Sequence, residues 1–401
     1  MLFSVVLGIF TAAYFGFRKL WIRIKYSVLG GKAEKLSNEK IPVVIYSDSK
    51  RYWNVFEPVV NELEKRGIRS EYWTQSEDDP AFLSTYKNVT CRFIGSINKA
   101  ITKLNVMNAS VCLSTTPGLD VYQWKRSKNT DCYIHIYHTV SSGVLYRMFA
   151  LDYYDVVMLS GDFIEENLRK LESIRNLSAK ELVKVGLPHF DRMMEEVRSR
   201  TFEKTDGITV LLAPTWGVNS LFNTLGDELI DRLIETGHNI VIRPHPQSYT
   251  AEAELIDRLK KKYPETERLH WNSDNDNINV LGCSDIMISD YSGVIYDYVI
   301  IFDKPVIYSF DKFNKDPYDA WSIEEDPKMI TMLPEIAVQL HKEDIANIGK
   351  MIDEALVDTA RKEARAFARE HFWYNHGESA VKCVNYIEKK LGHNDDGCSE
   401  I

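Results

Sequence analysis

Short apolar runs of strand type recur along this chain, and amphipathic stretches of helical period separate several of them. Such alternation commits a chain to βαβ order and a parallel sheet, because parallel neighbours need a long crossover between them. Two series are visible. The first has strand patterns at Ile41–Tyr46, Ile68–Trp73, Val89–Ile94, Ala109–Leu113, Cys132–Tyr137, Val156–Leu159 and Val183–Val185. Helical patterns at Trp53–Arg66 and Phe163–Leu171 fall between them. Asp191–Asp206 is charged, carries no strand and reads as a helix and linker. The second series has strand patterns at Ile208–Leu212, His238–Ile242, near Leu269, Ile286–Ser289 and Val306–Tyr308. Helical patterns at Ile345–Leu356, Arg361–Glu370 and Glu378–Lys390 close the chain. The expected fold class is α/β, with Rossmann-like domains over 41–190 and 207–358 and a cleft between them. Helices in 359–391 are expected to pack back across both. A length of 401 residues suits two domains.

In an open parallel sheet, ligands bind at the loops that follow the carboxyl ends of the strands. Two such loops in the second series carry phosphate chemistry. Arg243-Pro244-His245-Pro246 follows the run ending at Ile242. Arg243 offers a planar fork of donors, and the flanking prolines restrict the backbone around His245. Ser289-Asp290-Tyr291-Ser292-Gly293 follows the run at Ile286. Ser292 reads as the N-cap of a helix Val294–Phe302, Gly293 permits a close approach, and a helix start favours an anion. Two phosphate-competent loops at equivalent sheet positions suit a diphosphate. Each loop alone also reads as an ordinary rigid turn or cap.

These loops resemble those of the CDP-glycerol glycerophosphotransferase family, which includes teichoic-acid primases and polymerases. Ala213-Pro214-Thr215-Trp216, Gly186-Leu187-Pro188-His189-Phe190-Asp191 and His376-Gly377-Glu378-Ser379 extend the resemblance from about Tyr133 to Ile387. His189 stands where that family usually has Arg. The resemblance implies a GT-B-like fold and transfer of glycerol phosphate, or a related polyol phosphate, from CDP-glycerol to an acceptor hydroxyl, with release of CMP. The acceptor would be a cell-surface polymer or a lipid-linked glycan. It also implies that His138, at the end of a strand, is the catalytic base, although the family's Gly after that His is Thr139 here. His135 is the second choice. His245 is implied as the other catalytic imidazole, and Arg243, Ser292, Gly293, Asp297 and Thr215 as donor-binding residues. Asp297 could instead be an ordinary surface acid. No cofactor is implied, and dependence on a divalent metal stays open, since no Asp-x-Asp stands at a convincing strand end. The alternatives are a glycosyltransferase or epimerase of the same fold using a nucleotide sugar, or an inactive membrane-anchored binding protein.

Net charge and the N-terminus bound the partners. A formal charge of -9 without a long basic tract excludes a general nucleic-acid binder. The six cysteines form no Cys-x-x-Cys and suggest buried thiols in a reducing compartment. Residues 1–17 carry no charged side chain, and Arg18, Lys19, Arg23 and Lys25 follow. Positive charge after the apolar stretch is the reverse of a signal peptide. The stretch is short of the roughly 20 residues of a full span. The expectation is a membrane-associated helix over 1–29, spanning or dipping into one leaflet. The catalytic domains would then lie on the cytoplasmic side of the cell membrane.

Overall fold

The structure, a computed structural model, describes residues 39–392 apart from positions 275 and 311. The helix expected over 1–29 lies outside the described residues. Among the described residues, no helix is long and apolar enough to cross a membrane.

Two parallel sheets organise the chain. The first has β1 (Ile41–Ser47), β2 (Ser70–Thr74), β3 (Val89–Phe93), β4 (Ala109–Ser114), β5 (Thr130–Ile136), β6 (Val156–Leu159) and β7 (Glu181–Lys184). Their order is β3-β2-β1-β4-β5-β6-β7. The second has β8 (Thr209–Leu212), β9 (Asn239–Ile242), β10 (Leu269–Trp271), β11 (Ile286–Ser289), β12 (Val306–Tyr308) and β13 (Val338–Gln339). Their order is β10-β9-β8-β11-β12-β13. In each sheet the order reverses between the first strand and the one that follows the outward excursion. These reversals, β1 beside β4 and β8 beside β11, are where a doubly wound sheet opens its crevice. The strands are apolar on both faces, as helix-covered parallel strands should be; β6, β8 and β11 are buried along their whole length.

The helix Pro188–Ser199 connects the halves and starts three residues before the charged segment suggested, with Pro188 in its first turn. The chain then returns. Lys362–Phe372 packs on the helix Val294–Phe302, and Ser379–Leu391 packs on Trp53–Lys65 of the first half. Two glycines permit this return. A Cβ on Gly186, at φ +101°, would lie 2.1 Å from the Tyr374 carbonyl oxygen, and one on Gly161 would lie 2.5 Å from Phe372 Cα. Asp191 then accepts the backbone N–H groups of Gly377 and Ser379, each at 2.7 Å. The Gly186–Asp191 and His376–Ser379 motifs thus meet as one structural seam. A second seam joins the halves through Asp319. Its buried carboxylate accepts from Phe149 N–H at 2.7 Å and pairs with Arg175, which also holds Asp152 at 2.6 Å.

Candidate active site

The loops after β8, β9 and β11 form one wall. Asp290, fully buried, accepts the Thr215 N–H at 2.9 and 3.0 Å and the Leu221 N–H at 3.0 Å. Ser289 Oγ donates to the Ala213 carbonyl at 2.6 Å. These bonds fix the Ala213–Trp216 turn against the loop that carries Ser292. Burial pushes the Asp290 carboxyl up to about 6, and the N–H groups it accepts oppose that rise. Residue type alone did not single out Asp290; its role follows from burial.

His245 sits on the β9 loop, stacked near Trp216 with ring centroids 6.5 Å apart. Its Nδ1 accepts the Gln247 N–H at 3.1 Å. In the neutral ring the proton is therefore on Nε2, which is left as a donor. Burial and, after it, Arg51 of the first half lower its pKa to about 4. The Arg243 fork is differently employed from the sequence expectation. One terminal nitrogen donates to Asn272 Oδ1 and the other to the Asp274 carbonyl, the latter at 2.9 Å. Arg243 therefore braces the loop after β10, and its Nε stays outside these two bonds.

The helix Val294–Phe302 corrects a second expectation. Its N-cap is Gly293, already in right-handed helical conformation, and no side chain caps it. Ser292 contributes its carbonyl, which accepts the Ile295 N–H at 3.1 Å. The helix spans the expected residues, but the Ser292 hydroxyl is not spent on capping its start. Asp297 is buried rather than a surface acid. Its Oδ2 accepts from Asn277 at 3.3 Å, while its Oδ1 has no hydrogen-bond partner in the protein. Burial pushes this carboxyl up to about 7.

The opposing wall comes from the first half. His138 follows β5, with Nδ1 3.0 Å from Thr115 Oγ1 and its ring 4.9 Å from that of Tyr52. Burial and, after it, His245 across the cleft lower its pKa to about 4. It is neutral at pH 7. The next residue, Thr139, faces the β11 loop: a Cβ on Gly293 would lie 3.2 Å from Thr139 Oγ1. The structure thus brings His138, His245, Ser292 and Gly293 to one interdomain cleft, with Thr215 held on the same wall. His189 adds a third buried imidazole, its Nδ1 unpartnered and its pKa lowered to about 3 by burial, with Arg192 and His138 contributing. His135 is different. It is fully buried among Tyr137, Tyr146 and Tyr154, with ring centroids 5.0, 5.5 and 5.2 Å away. Among the described residues, no group of three or more His, Cys, Asp or Glu could hold a metal ion.

Solved structures share this architecture. A variant of the wall teichoic acid polymerase TagF soaked with CDPG aligns at a TM-score of 0.57 and 17% identity, covering 94% of this chain and 98% of its own. An S. aureus MnaA–UDP co-structure aligns at 0.58 and 14%, covering 90% and 100%. A putative UDP-N-acetylglucosamine 2-epimerase from Listeria monocytogenes aligns at 0.56 and 15%, covering 90% and 100%. At these identities the likeness establishes the two-domain GT-B fold. No curated protein sequence gives a significant match. The family model for CDP-Glycerol:Poly(glycerophosphate) glycerophosphotransferase matches residues 120–389, about two thirds of the chain. That match takes in both walls of the cleft, from His138 to Asp297, and the return helices, and the chain belongs to the CDP-glycerol:poly(glycerophosphate) glycerophosphotransferase family.

Proposed function

We propose that this cleft transfers glycerol phosphate from CDP-glycerol to an acceptor hydroxyl and releases CMP. The observation that carries the reading is the juxtaposition of the His138–Thr139 loop with the Ser292–Gly293 loop. It supports a neutral imidazole acting opposite a wall that binds the diphosphate. With its proton on Nδ1, toward Thr115, His138 presents a free Nε2 lone pair. The acceptor oxygen attacks the β-phosphorus, its proton passes to His138 Nε2, and the bond to the α-phosphate oxygen breaks. CMP leaves as the anion and needs no proton.

The other wall stabilises charge that gathers on the β-phosphate. His245 Nε2–H is an available donor, and the Ser292 hydroxyl and the Gly293 N–H are at the helix start. Arg243 acts by holding Asn272 and the Asp274 carbonyl after β10 and by adding positive potential. Asp297 Oδ1 suits a donor hydroxyl of the ribose or glycerol. Thr215 borders the nucleotide. The acceptor is proposed to be a glycerol phosphate polymer or a lipid-linked glycan. The apolar residues 1–17 and the basic flank that follows support attachment to the cytoplasmic face of the membrane.

A donor comparison tests this reading. The protein is incubated with CDP-glycerol, CDP-ribitol or UDP-N-acetylglucosamine, each with a short glycerol phosphate oligomer. CMP release from CDP-glycerol, dependent on the oligomer, is expected. Turnover of the UDP-sugar alone would overturn it.

A further inference from the structure

The first half has its own sheet reversal, between β1 and β4, and three neighbouring strand ends meet there. Asp48 follows β1, Thr115 and Thr116 follow β4, and His138 follows β5. The backbone at this point is fixed. Ser114 Oγ donates to the Tyr46 carbonyl at 3.0 Å and accepts the Thr116 N–H at 3.1 Å. The Thr116 carbonyl accepts from Tyr154 at 2.6 Å. Ser47 Oγ donates to the Ser49 carbonyl at 2.8 Å.

On this rigid floor two polar atoms are unanswered. Asp48 Oδ1 and Thr116 Oγ1 are both buried, and neither has a hydrogen-bond partner within the protein. Thr116 is near enough to pull the carboxyl pKa back, without reaching bonding geometry. Burial pushes that carboxyl up to about 6, so it is mostly ionised at pH 7. A carboxylate accepts and never donates, so it repels phosphate and suits a hydroxyl. Tyr52 links this pair to the base: its ring lies 4.9 Å from that of His138, and its own hydroxyl is pushed up by burial and by Asp48. Buried polar atoms left without protein partners at a strand-end crevice are the marks of a preformed binding site.

We propose that Asp48, assisted by Thr116, binds the acceptor by accepting a hydrogen bond from the hydroxyl adjacent to the one that His138 deprotonates. The inference rests on the transferase reading above. It names the acceptor class, an end group with a vicinal diol, such as the terminal glycerol of a glycerol phosphate chain. One hydroxyl is held by Asp48 while its neighbour attacks.

The test pairs a variant with a substrate analogue. The full chain and Asp48→Asn are assayed with CDP-glycerol and two acceptors: a glycerol phosphate trimer with a terminal vicinal diol, and the same trimer lacking the terminal 2-hydroxyl. Removing either partner of one charge-assisted hydrogen bond should lower acceptor kcat/KM roughly ten- to a hundredfold. Removing both should cost no more than removing one, because one contact is lost either way. The Kd for CDP-glycerol, measured calorimetrically, should stay within about twofold, because the removed contact is to the acceptor and not to the donor. Thr116→Val should show the same pattern at smaller size. Losses that multiply, an unchanged acceptor kcat/KM in Asp48→Asn, or an equal fall in donor affinity would each overturn the assignment. If the unaltered protein releases no CMP with the diol trimer, the transferase reading falls first, and the acceptor site with it.

Discussion

Two histidines three residues apart, one inside a strand and one just past its end, have opposite fates, and their surroundings explain why. His138 lies beyond the last residue of β5, where the chain turns into the cleft and Thr115 meets one of its nitrogens. His135 is inside β5, sealed by three tyrosines, and neither of its nitrogens has a partner. Strand alternation and position separated the two in the sequence. What the sequence did not show was how deeply both are desolvated. Burial holds the His135 pKa near 3, with His138 adding to it, against an unfolded value of 6.5. A depressed histidine pKa means the unfolded chain binds the extra proton. The stability His135 permits is therefore full above pH 6.5 and declines as pH falls toward 3. His135→Phe should keep transfer activity. Relative to the unaltered protein it should gain about 2–3 kcal/mol between pH 7.5 and pH 4.5. Urea unfolding at both pH values measures this; a loss of turnover in His135→Phe would make His135, not His138, the base.

At the scale of elements, the strands were the most legible feature. Each apolar run from Ile41 to Tyr308 became a strand within a few residues, because helix-covered parallel strands are apolar on both faces. The two-residue β13 was missed, since two residues carry no pattern. Loop chemistry was less legible. Ser292 has the residue type of an N-cap, but the backbone places the cap at Gly293. Arg243 has the residue type of a phosphate fork, but Asn272 and the Asp274 carbonyl occupy its terminal nitrogens. For Arg243 tertiary neighbours, invisible in the local sequence, decide the outcome. Asp297 was more informative than it looked: an acid inside the otherwise apolar Val294–Phe302 is difficult to leave on a surface. Asp290 is the element-level brace. Asp290→Asn should lower stability by about 1–3 kcal/mol, because buried N–H groups of Thr215 and Leu221 lose an acceptor. It should also weaken CDP-glycerol binding by loosening the Ala213–Trp216 turn. Denaturation and calorimetry check both; unchanged donor affinity would detach that turn from the donor site.

For the molecule as a whole, the sequence showed two α/β series but not how they are joined. The Gly186–Asp191 and His376–Ser379 motifs carry part of the family resemblance in the sequence. In the structure they form the seam where the chain returns, with Asp191 gripping the start of the last helix. Asp319 and Arg175 hold the halves together elsewhere. The cleft is thus framed by fixed connections on the chain's own return path. Among the described residues, all thirteen strands follow residue 40, and the first of them begins at Ile41. Deleting residues 1–26 should leave the unfolding temperature within a few degrees and move the protein from the membrane to the soluble fraction. Flotation with vesicles and a melting curve report the two outcomes. A deletion variant that still floats would place the membrane contact elsewhere.

The central claim is that base and donor wall belong to different halves and meet only across the cleft. Single-turnover transfer by His138→Ala, measured beside its calorimetric Kd for CDP-glycerol, tests this most directly. The account predicts donor affinity within about threefold of the unaltered protein and a transfer rate lower by about 10²–10⁴-fold. Near-normal transfer, or a donor affinity that falls as far as the rate, would contradict it.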